Sequence, residues 1–271
     1  MATNQMRREA AKRKLERQQE RRVQQAKRRR RGAVITSASI VVVVLILVLV
    51  LPNFLGGDEE PVEVDAAAAS TPGACAFTET PGEPAAKPVA VPDITQAPTE
   101  GQVAVTLRTN RGEVPLTLDR TKAPCTVENF VRLTQARYFD GTTCHRLTTG
   151  ESLQVLQCGD PTGTGSGGPG YTVNDEKPID LQPVENSGGA VAYPRGLVAM
   201  ANTGRPNSGG SQVFLVYGDS MLPPDYSVFG TIGESGLAVL DQIAAAGLTG
   251  EQRPGDGVPV QPVIIETATV A

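Results

Sequence analysis

Two short stretches of the sequence carry side chains that could bind and polarise a peptide group. Arg146 directly follows the single histidine of the chain, Gln157 comes soon after it, and Gln212 lies in a Gly-Ser-Gln run further on. A guanidinium group is a permanent positive charge with a rigid set of hydrogen-bond donors. A glutamine amide both donates and accepts, so it can orient the arginine and bind a peptide backbone. These residues predict a site that works by hydrogen bonding.

Three other kinds of site fit the sequence poorly. A hydrolytic triad would have to use His145, the only histidine, and the sequence contains no Gly-x-Ser-x-Gly. Residues 163–168 match Gly-x-Gly-x-x-Gly, but Pro169 and Gly170 follow where a dinucleotide site needs a helix. The four cysteines lack Cys-x-x-Cys spacing, which argues against zinc. We therefore expect no metal and no cofactor, and a flexible loop at 163–168.

The elements that must position these residues are mostly short strands. Residues 102–119 contain two alternating apolar runs around Thr-Asn-Arg-Gly, which is typical of a hairpin. Helical spacing predicts a first helix at 126–137, with Thr126 as its N-cap, and a second helix at 237–246. Further strands are predicted at 143–147, 155–158, 197–201, 212–216, 228–232 and 259–267. Many short strands with two helices favour a mainly β fold, a closed antiparallel barrel capped by helices.

Five motifs in a fixed order carry a resemblance to a known family. They are Cys144-His145-Arg146-Leu147, Leu156-Gln157-Cys158-Gly159-Asp160, Gly196-Leu197-Val198-Ala199-Met200-Ala201-Asn202, Gly210-Ser211-Gln212-Val213-Phe214-Leu215 and Ser227-Val228-Phe229-Gly230. With its flanks, the region from about 103 to 267 resembles the cyclophilins, the cyclophilin-type peptidyl-prolyl cis-trans isomerases. The resemblance implies a closed eight-stranded antiparallel β-barrel with two helices. Together with the membrane segment described below, it is similar to a membrane-anchored bacterial member of a Gram-positive, actinobacterial type.

The resemblance also implies a role for each site residue. Rotation about an X–Pro bond is slow because amide resonance imposes a barrier of about 20 kcal/mol. Arg146 matches the family's arginine, which hydrogen-bonds the prolyl nitrogen of the twisted amide, and His145 is a supporting residue beside it. Phe214 matches the floor of the proline pocket. The expected peptide-binding residues are Val155, Gln157, Ala201, Asn202, Thr203, Gln212, Phe214, Met221, Leu222 and Tyr226. The expected partners are proline-containing unfolded or partly folded polypeptides, not nucleic acid, and the expected state is a monomer.

The sequence departs from the family pattern around the proline pocket. The connection from Arg146 to Gln157 is about three residues longer than usual and lacks the usual large aromatic residue. Val155 takes the position of a methionine, and Leu153 or Gln154 takes that of a phenylalanine. The chain has no Trp, Met221 lies near the position that carries one in many relatives, and Tyr226 replaces a rim histidine. These changes keep a second hypothesis open, a proline-peptide-binding module with little or no turnover.

The four cysteines are better suited to disulfides than to a metal. Cys144 and Cys158 lie at the far ends of two strands that should pair as a hairpin, which brings their Cβ atoms within bonding reach. We therefore expect a Cys144–Cys158 bond. The other two cysteines, Cys75 and Cys125, are expected to be either joined or free.

The start of the chain has the features of a membrane anchor. Residues 1–31 hold 13 of the 25 Lys+Arg and 3 of the 29 Asp+Glu, a charge of +10 that leaves −14 for the rest. An acidic body excludes a basic nucleic-acid-binding domain. Residues 33–51 carry no charge and are long enough to cross a bilayer, so a transmembrane helix is predicted at 33–55. A buried core helix fits this run less well, because the run has no polar face. A cleaved signal peptide remains an alternative.

The flanking charges predict how the chain is oriented and divided. Basic flanks stay in the cytoplasm, so residues 1–32 form a basic cytoplasmic segment and the body lies outside the membrane. Residues 56–100 are rich in Pro, Ala and Glu and are predicted to be a flexible linker. Residues 101–271 form the cyclophilin-like domain. The predicted location is the cell membrane, where a single-pass protein would act on exported proteins.

Overall fold

Short antiparallel strands make up most of the molecule in the computed structural model, which describes residues 72–271. The strands are β1 (Phe77–Glu79), β2 (Gln102–Thr109), β3 (Gly112–Asp119), β4 (Thr142–Thr143), β5 (Arg146–Thr148), β6 (Val155–Cys158), β7 (Tyr171–Val173), β8 (Val191–Tyr193), β9 (Leu197–Met200), β10 (Val213–Val216), β11 (Ser220–Leu222), β12 (Val228–Ile232), β13 (Leu248–Arg253), β14 (Asp256–Pro259) and β15 (Ile264–Val270). The helices are α1 (Pro124–Gln135) and α2 (Glu234–Ala245).

Eleven of these strands form one sheet in the order β13-β14-β5-β6-β10-β9-β12-β3-β2-β15-β4, and all its ladders are antiparallel. The predicted first hairpin is present, because β2 pairs with β3 along its whole length. Inward-facing residues of these strands, such as Leu107 and Leu116, pack in one core with Phe130 of α1 and Leu237 of α2. The core fixes the strands that carry the site.

The prediction of a mainly β fold with two helices is confirmed, but the closed eight-stranded barrel differs from the observed sheet. The sheet is curled and its order is open, since β13 and β4 at its ends do not pair with each other. Part of the difference arises where one strand was predicted at 143–147. There β4 and β5 are separate strands with different partners, because β4 pairs with β15 while β5 pairs with β6 and β14.

Helix α1 begins two residues before its predicted start, so the prediction that Thr126 is the N-cap was wrong. Pro124 occupies the first turn, where its missing N–H costs nothing. Two amides of the first turn have no acceptor within the helix and are bound by Glu176. Its two carboxylate oxygens accept from the amides of Cys125 (2.9 Å) and Thr126 (2.8 Å). The Thr126 hydroxyl donates to the same carboxylate (2.7 Å). Burial raises the pKa of Glu176, although these hydrogen bonds act in the opposite direction.

Residues 72–100 differ from the predicted linker, because they pack on the domain. Strand β1 pairs with β7, and Cys75 forms a disulfide with Cys125 of α1. Ala97 is buried against this disulfide. The Lys87 ammonium group donates to three backbone carbonyls, those of Arg137, Tyr138 and Asp140, which line the turn after α1. A proline-rich composition alone did not reveal these anchors.

The predicted basic segment 1–32 and transmembrane helix 33–55 lie outside the described residues. Within residues 72–271, no helix has the length and apolar character needed to cross a bilayer.

Removing the Glu176 carboxylate should destabilise the domain, because two amides of the first turn of α1 would lose their acceptor. We expect Glu176→Ala to lower the free energy of unfolding by about 1–2 kcal/mol, the usual effect of losing a helix cap. Glu176→Gln should lose less, since one acceptor oxygen remains. Thermal or urea unfolding measures the effect. Glu185→Ala, an exposed glutamate in the same connection, is the matched control, and equal stability of both alanine variants would contradict the capping role.

Candidate functional site

Arg146 lies at the start of β5 and is held on two sides. Its Nε and Nη2 donate to the two carboxylate oxygens of Asp256 on β14, at 2.7 and 2.9 Å. Its Nη1 donates to Gln157 Oε1 at 3.1 Å. Gln157 stands directly opposite Arg146 in the β5–β6 register. The arginine side chain is 31% exposed and that of Asp256 24%, so the pair is only partly open to water.

The hydrogen-bond chain continues from the arginine across the sheet. Gln157 Nε2 donates to Gln212 Oε1 at 2.8 Å. Gln212 Nε2 in turn donates to the carbonyls of Gly165 and Gly167, both at 3.0 Å. The two predicted glutamines therefore link Arg146 to residues 163–170, which we call the glycine loop. This chain sets the orientation of both amides, because each has a donor and an acceptor in use.

The glycine loop is held by Asp160, a fully buried residue. Its carboxylate accepts hydrogen bonds from the amides of Thr162 (2.7 Å), Thr164 (3.0 Å) and Gly165 (2.7 Å). Desolvation by burial would raise the pKa of Asp160, but hydrogen bonds from Thr162 and the loop amides outweigh it and hold the pKa below its usual value. A Cβ at Gly167 would lie 2.0 Å from Asp160 Oδ1, so only glycine fits there. The loop predicted to be flexible is a tightly bonded turn.

An apolar cluster lies near the arginine, because Phe214 stands opposite Gln157 in the sheet and Gln157 stands opposite Arg146. Val155, Ala201, Phe214 and Val216 form a buried cluster, and four partly buried residues pack against it: Leu153, Leu197, Leu222 and Tyr226. The rings of Phe214 and Tyr226 lie 5.4 Å apart between centroids. The sequence left open whether Leu153 or Gln154 replaces the usual aromatic residue. In the structure Leu153 contributes the apolar surface, while the Gln154 side chain lies against Gly218.

The remaining predicted peptide-binding residues lie around this pocket. The Asn202 side chain is fixed by the Asp225 carbonyl (2.8 Å) and by the Gly204 amide (2.9 Å). Thr203 is exposed, and its amide and hydroxyl both contact Ser208 Oγ. Met221 is 43% exposed on β11, where its amide donates to the Ser152 carbonyl.

His145 lies under the glycine loop and is buried at both ring nitrogens. Within residues 72–271 neither nitrogen has a hydrogen-bond partner. Desolvation lowers the pKa of His145, Asp160 opposes this, and the Arg146 charge adds to the lowering. The lowered pKa favours the neutral imidazole.

The predicted disulfide between Cys144 and Cys158 is present, and so is a second one between Cys75 and Cys125. The first joins the residues that flank the Arg146–Gln157 pair, so it ties β5 to β6 at the site. Disulfides of this kind persist in oxidising surroundings.

Asp256, which sequence reasoning missed, is the main partner of Arg146. The two residues are 110 positions apart, and no local spacing connects them. The available signal was the Pro254-Gly255 turn, which is typical of a hairpin that would return a polar residue to the sheet. Asp160 stood inside a recognised motif, but its role in holding the loop depends on amides that only the folded loop brings together.

A family model described as cyclophilin type peptidyl-prolyl cis-trans isomerase/CLD matches residues 104–270. The probable peptidyl-prolyl cis-trans isomerase B of Mycobacterium tuberculosis is 47% identical over 198 residues, covering 71% of this chain and 64% of that protein. The protein of the same description from Mycobacterium leprae is 49% identical over 186 residues, covering 68% and 62%. The chain thus spans less than two thirds of the length of these curated relatives.

Solved structures show the same similarity. The crystal structure of a cyclophilin type peptidyl-prolyl cis-trans isomerase from Cryptosporidium parvum matches with a TM-score of 0.51 and 27% identity, covering 63% of this chain and 98% of that one. A second crystal structure of that protein, in the presence of the dipeptide Ala-Pro, matches with a TM-score of 0.50 and 27% identity, covering 62% and 98%.

Titration of His145 provides a direct check of its buried position. Since it is the only histidine, its Cε1 proton gives a single resonance in the untagged chain. We expect NMR to show a pKa below the usual 6.5, because burial disfavours the charged ring. A substitution at Gly165, whose Cβ would lie 3.4 Å from the ring, cannot serve as the control. The φ of Gly165 is +84°, so any side chain there would strain the backbone. Urea-unfolded chain is the reference instead, and equal pKa values in both states would contradict the assignment.

Proposed function

Because the chain belongs to the cyclophilin-type peptidyl-prolyl cis-trans isomerase family, we propose that its domain catalyses the cis-trans isomerisation of X–Pro bonds. The observation that carries this proposal is the Arg146 guanidinium, fixed by Asp256 and Gln157 beside the apolar Phe214 pocket. The family predicted from the sequence is confirmed. We propose the catalytic and peptide-binding roles of the individual residues as part of this function.

The proposed reaction needs a twisted amide to be stabilised. Twisting the X–Pro bond breaks amide resonance and returns a lone pair to the prolyl nitrogen. A guanidinium group has five N–H donors, and three are used by Asp256 and Gln157. The other donors of Arg146 are available to the prolyl nitrogen. A donor fixed in advance stabilises the twisted state more than the planar one, which lowers the barrier.

The pocket and the glutamines complete the proposed mechanism. The pyrrolidine ring would lie on Phe214, between Val155, Leu153 and Tyr226. Asn202, Thr203, Gln212 and the Ala201 backbone would bind the flanking peptide groups. The isomerisation transfers no proton, so the neutral His145 can remain a packing residue. A crystal structure of the protein from Cryptosporidium parvum was determined in the presence of the dipeptide Ala-Pro, and this supports a proline-containing ligand for the proposed site.

A second candidate function is peptide recognition with little turnover. It is favoured by the aliphatic wall at Val155 and Leu153, which is smaller than the aromatic wall of the family pattern. A looser pocket would bind the planar and twisted prolyl groups with more nearly equal affinity. Activity measurements separate the two functions.

We further propose that the domain is held outside the cytoplasm by an anchor at 33–55 and acts on exported proline-containing polypeptides. The charge asymmetry across this run and the two disulfides of the described residues support this location. The mycobacterial relatives support the proposed Gram-positive, actinobacterial type.

Loss of the Arg146 side chain should abolish most of the activity. We expect Arg146→Ala to lower kcat/KM for a short X–Pro peptide by about 10²–10³-fold, the usual effect of removing a fixed donor to the transition state. The assay uses the full-length chain under oxidising conditions, and circular dichroism checks the fold. Arg108→Ala, at an exposed position on β2, is the control. Peptide binding by the wild-type chain without acceleration would replace the enzyme proposal with the recognition module.

Asp256 should act as a positioning residue for Arg146. We expect Asp256→Asn to lower kcat about tenfold with little change in KM, because the arginine loses its charged partner while the proline pocket is intact. Arg146 holds the pKa of Asp256 below its usual value. The carboxylate therefore stays ionised, and its stabilising effect is lost only as the pH falls below about 4. The wild-type rate should not follow this group between pH 5 and 8.

Another two-contact ion pair of the chain provides the matched control for this test. Asp241 binds Arg195 through both oxygens, at 2.7 and 2.8 Å, away from the site. Asp241→Asn should leave kcat unchanged. An unchanged kcat in Asp256→Asn, or equal losses in both variants, would show that Asp256 does not position the arginine.

A further inference from the structure

The segment before the family-matched region forms one side of a cleft that continues from the proposed active site. We propose that residues 75–87, here named the N-terminal strap, bind substrate residues beyond the proline pocket and that the Cys75–Cys125 disulfide holds the strap in place. The strap lies wholly before residue 104, where the family match begins. The inference rests on the proposed isomerase function and adds an extended polypeptide subsite to it.

The strap is fixed along its length to elements next to the site. Its first part is anchored by Cys75 to α1 and by β1 to β7. Further along, the Thr80 amide donates to the Gly170 carbonyl and the Ala86 amide to the Gly168 carbonyl, both at 2.9 Å. Its end is held by Lys87 at the turn after α1. The strap therefore lies along the glycine loop as a bonded edge.

The cleft between the strap and the domain has a volume of about 780 Å³, within the usual range for ligand sites. One side is formed by strap residues that include Glu83, Ala85 and Ala86. The opposite side includes Gln212 and Asn202, two of the residues proposed to bind the peptide backbone. The cleft is therefore continuous with the proposed active site.

The lining of the cleft suits an extended polypeptide more than a compact ligand. Its floor is the glycine loop, which is narrow and rigid because its carbonyls at Gly165 and Gly167 are bonded to Gln212. Hydroxyl groups of Thr164, Ser166 and Thr203 add further donors and acceptors. Glu83 is the only charged residue that lines it. A peptide backbone with small or polar side chains matches these groups, because its own amides and carbonyls can pair with them.

Apolar burial contributes little to the middle of the strap. Glu83, Pro84, Ala85 and Ala86 are all exposed, so this part is held by the backbone bonds of Thr80 and Ala86. The Cys75–Cys125 disulfide is the covalent anchor of its first end. We expect the wall of the cleft to be less well fixed when that bond is removed.

The test compares two substrates in the full-length chain, a tetrapeptide that fills only the proline pocket and a longer peptide that extends over the glycine loop. We expect Ala85→Trp to fill the cleft and raise KM for the longer peptide about tenfold, while the tetrapeptide keeps its KM and kcat. Ala90→Trp is the matched control, since Ala90 is also exposed but does not line the cleft. An unchanged KM for the longer peptide, or equal losses on both substrates, would overturn the proposal.

The disulfide is tested by replacing Cys75 and Cys125 together with serine, which leaves the other disulfide in place. The same length-dependent rise in KM is expected, and a wild-type KM in a folded variant would overturn the role of the disulfide. If this variant does not fold, the Ala85→Trp result still decides whether the cleft binds substrate.

Calorimetric binding of the longer peptide separates this inference from the proposed function. A chain that binds the longer peptide more tightly than the tetrapeptide, and loses the difference in Ala85→Trp, has the cleft even if it shows no isomerase activity. Equal affinities for both peptides would overturn the cleft while leaving the isomerase proposal intact.

Discussion

The site depends on one positive charge, the Arg146 guanidinium. Its partners fix its position but do not use all of its hydrogen-bond donors. Arg146 projects from a strand into a partly buried position, where an unpaired guanidinium would be costly. Asp256 and Gln157 reduce that cost by using three of the five donors, and two donors are left without these partners. The pairing of β5 with β6 and with β14 brings Gln157 and Asp256 next to the arginine. The hydrogen bond from Gln157 to Gln212 then links the arginine to the glycine loop.

Much of the site could be predicted from local sequence. Gln157 faces Arg146 because the two strands pair as a hairpin, and the same pairing places Cys144 near Cys158. Alternating apolar residues identified β2, β3 and most of the strands around the pocket. Such features are visible because their partners are close in the chain or follow a regular period. The family resemblance then related these separate strands to one site.

The missed features all involve partners far apart in the sequence. Asp256 reaches Arg146 and Glu176 reaches the start of α1, each across a distance that no periodicity records. The Cys75–Cys125 bond, which the sequence left open, spans a similar distance. The segment 72–100 has the proline-rich composition of a linker, yet a few strong anchors order it. The number of strands in the sheet could not be predicted for a related reason. Strands of two or three residues, such as β4, are defined by their partners and not by their own composition.

The position of β15 determines when this sheet can be completed. It lies between β2 and β4, so the edge of β2 has no neighbour on that side until a strand from residues 264–270 is inserted. Insertion between two existing strands requires contacts across most of the domain's sequence, which is the kind of topology that folds slowly. During synthesis the first hairpin would therefore expose an unpaired edge, a surface prone to association with other chains. The order of synthesis therefore leaves this edge unprotected until β15 is available to pair with it.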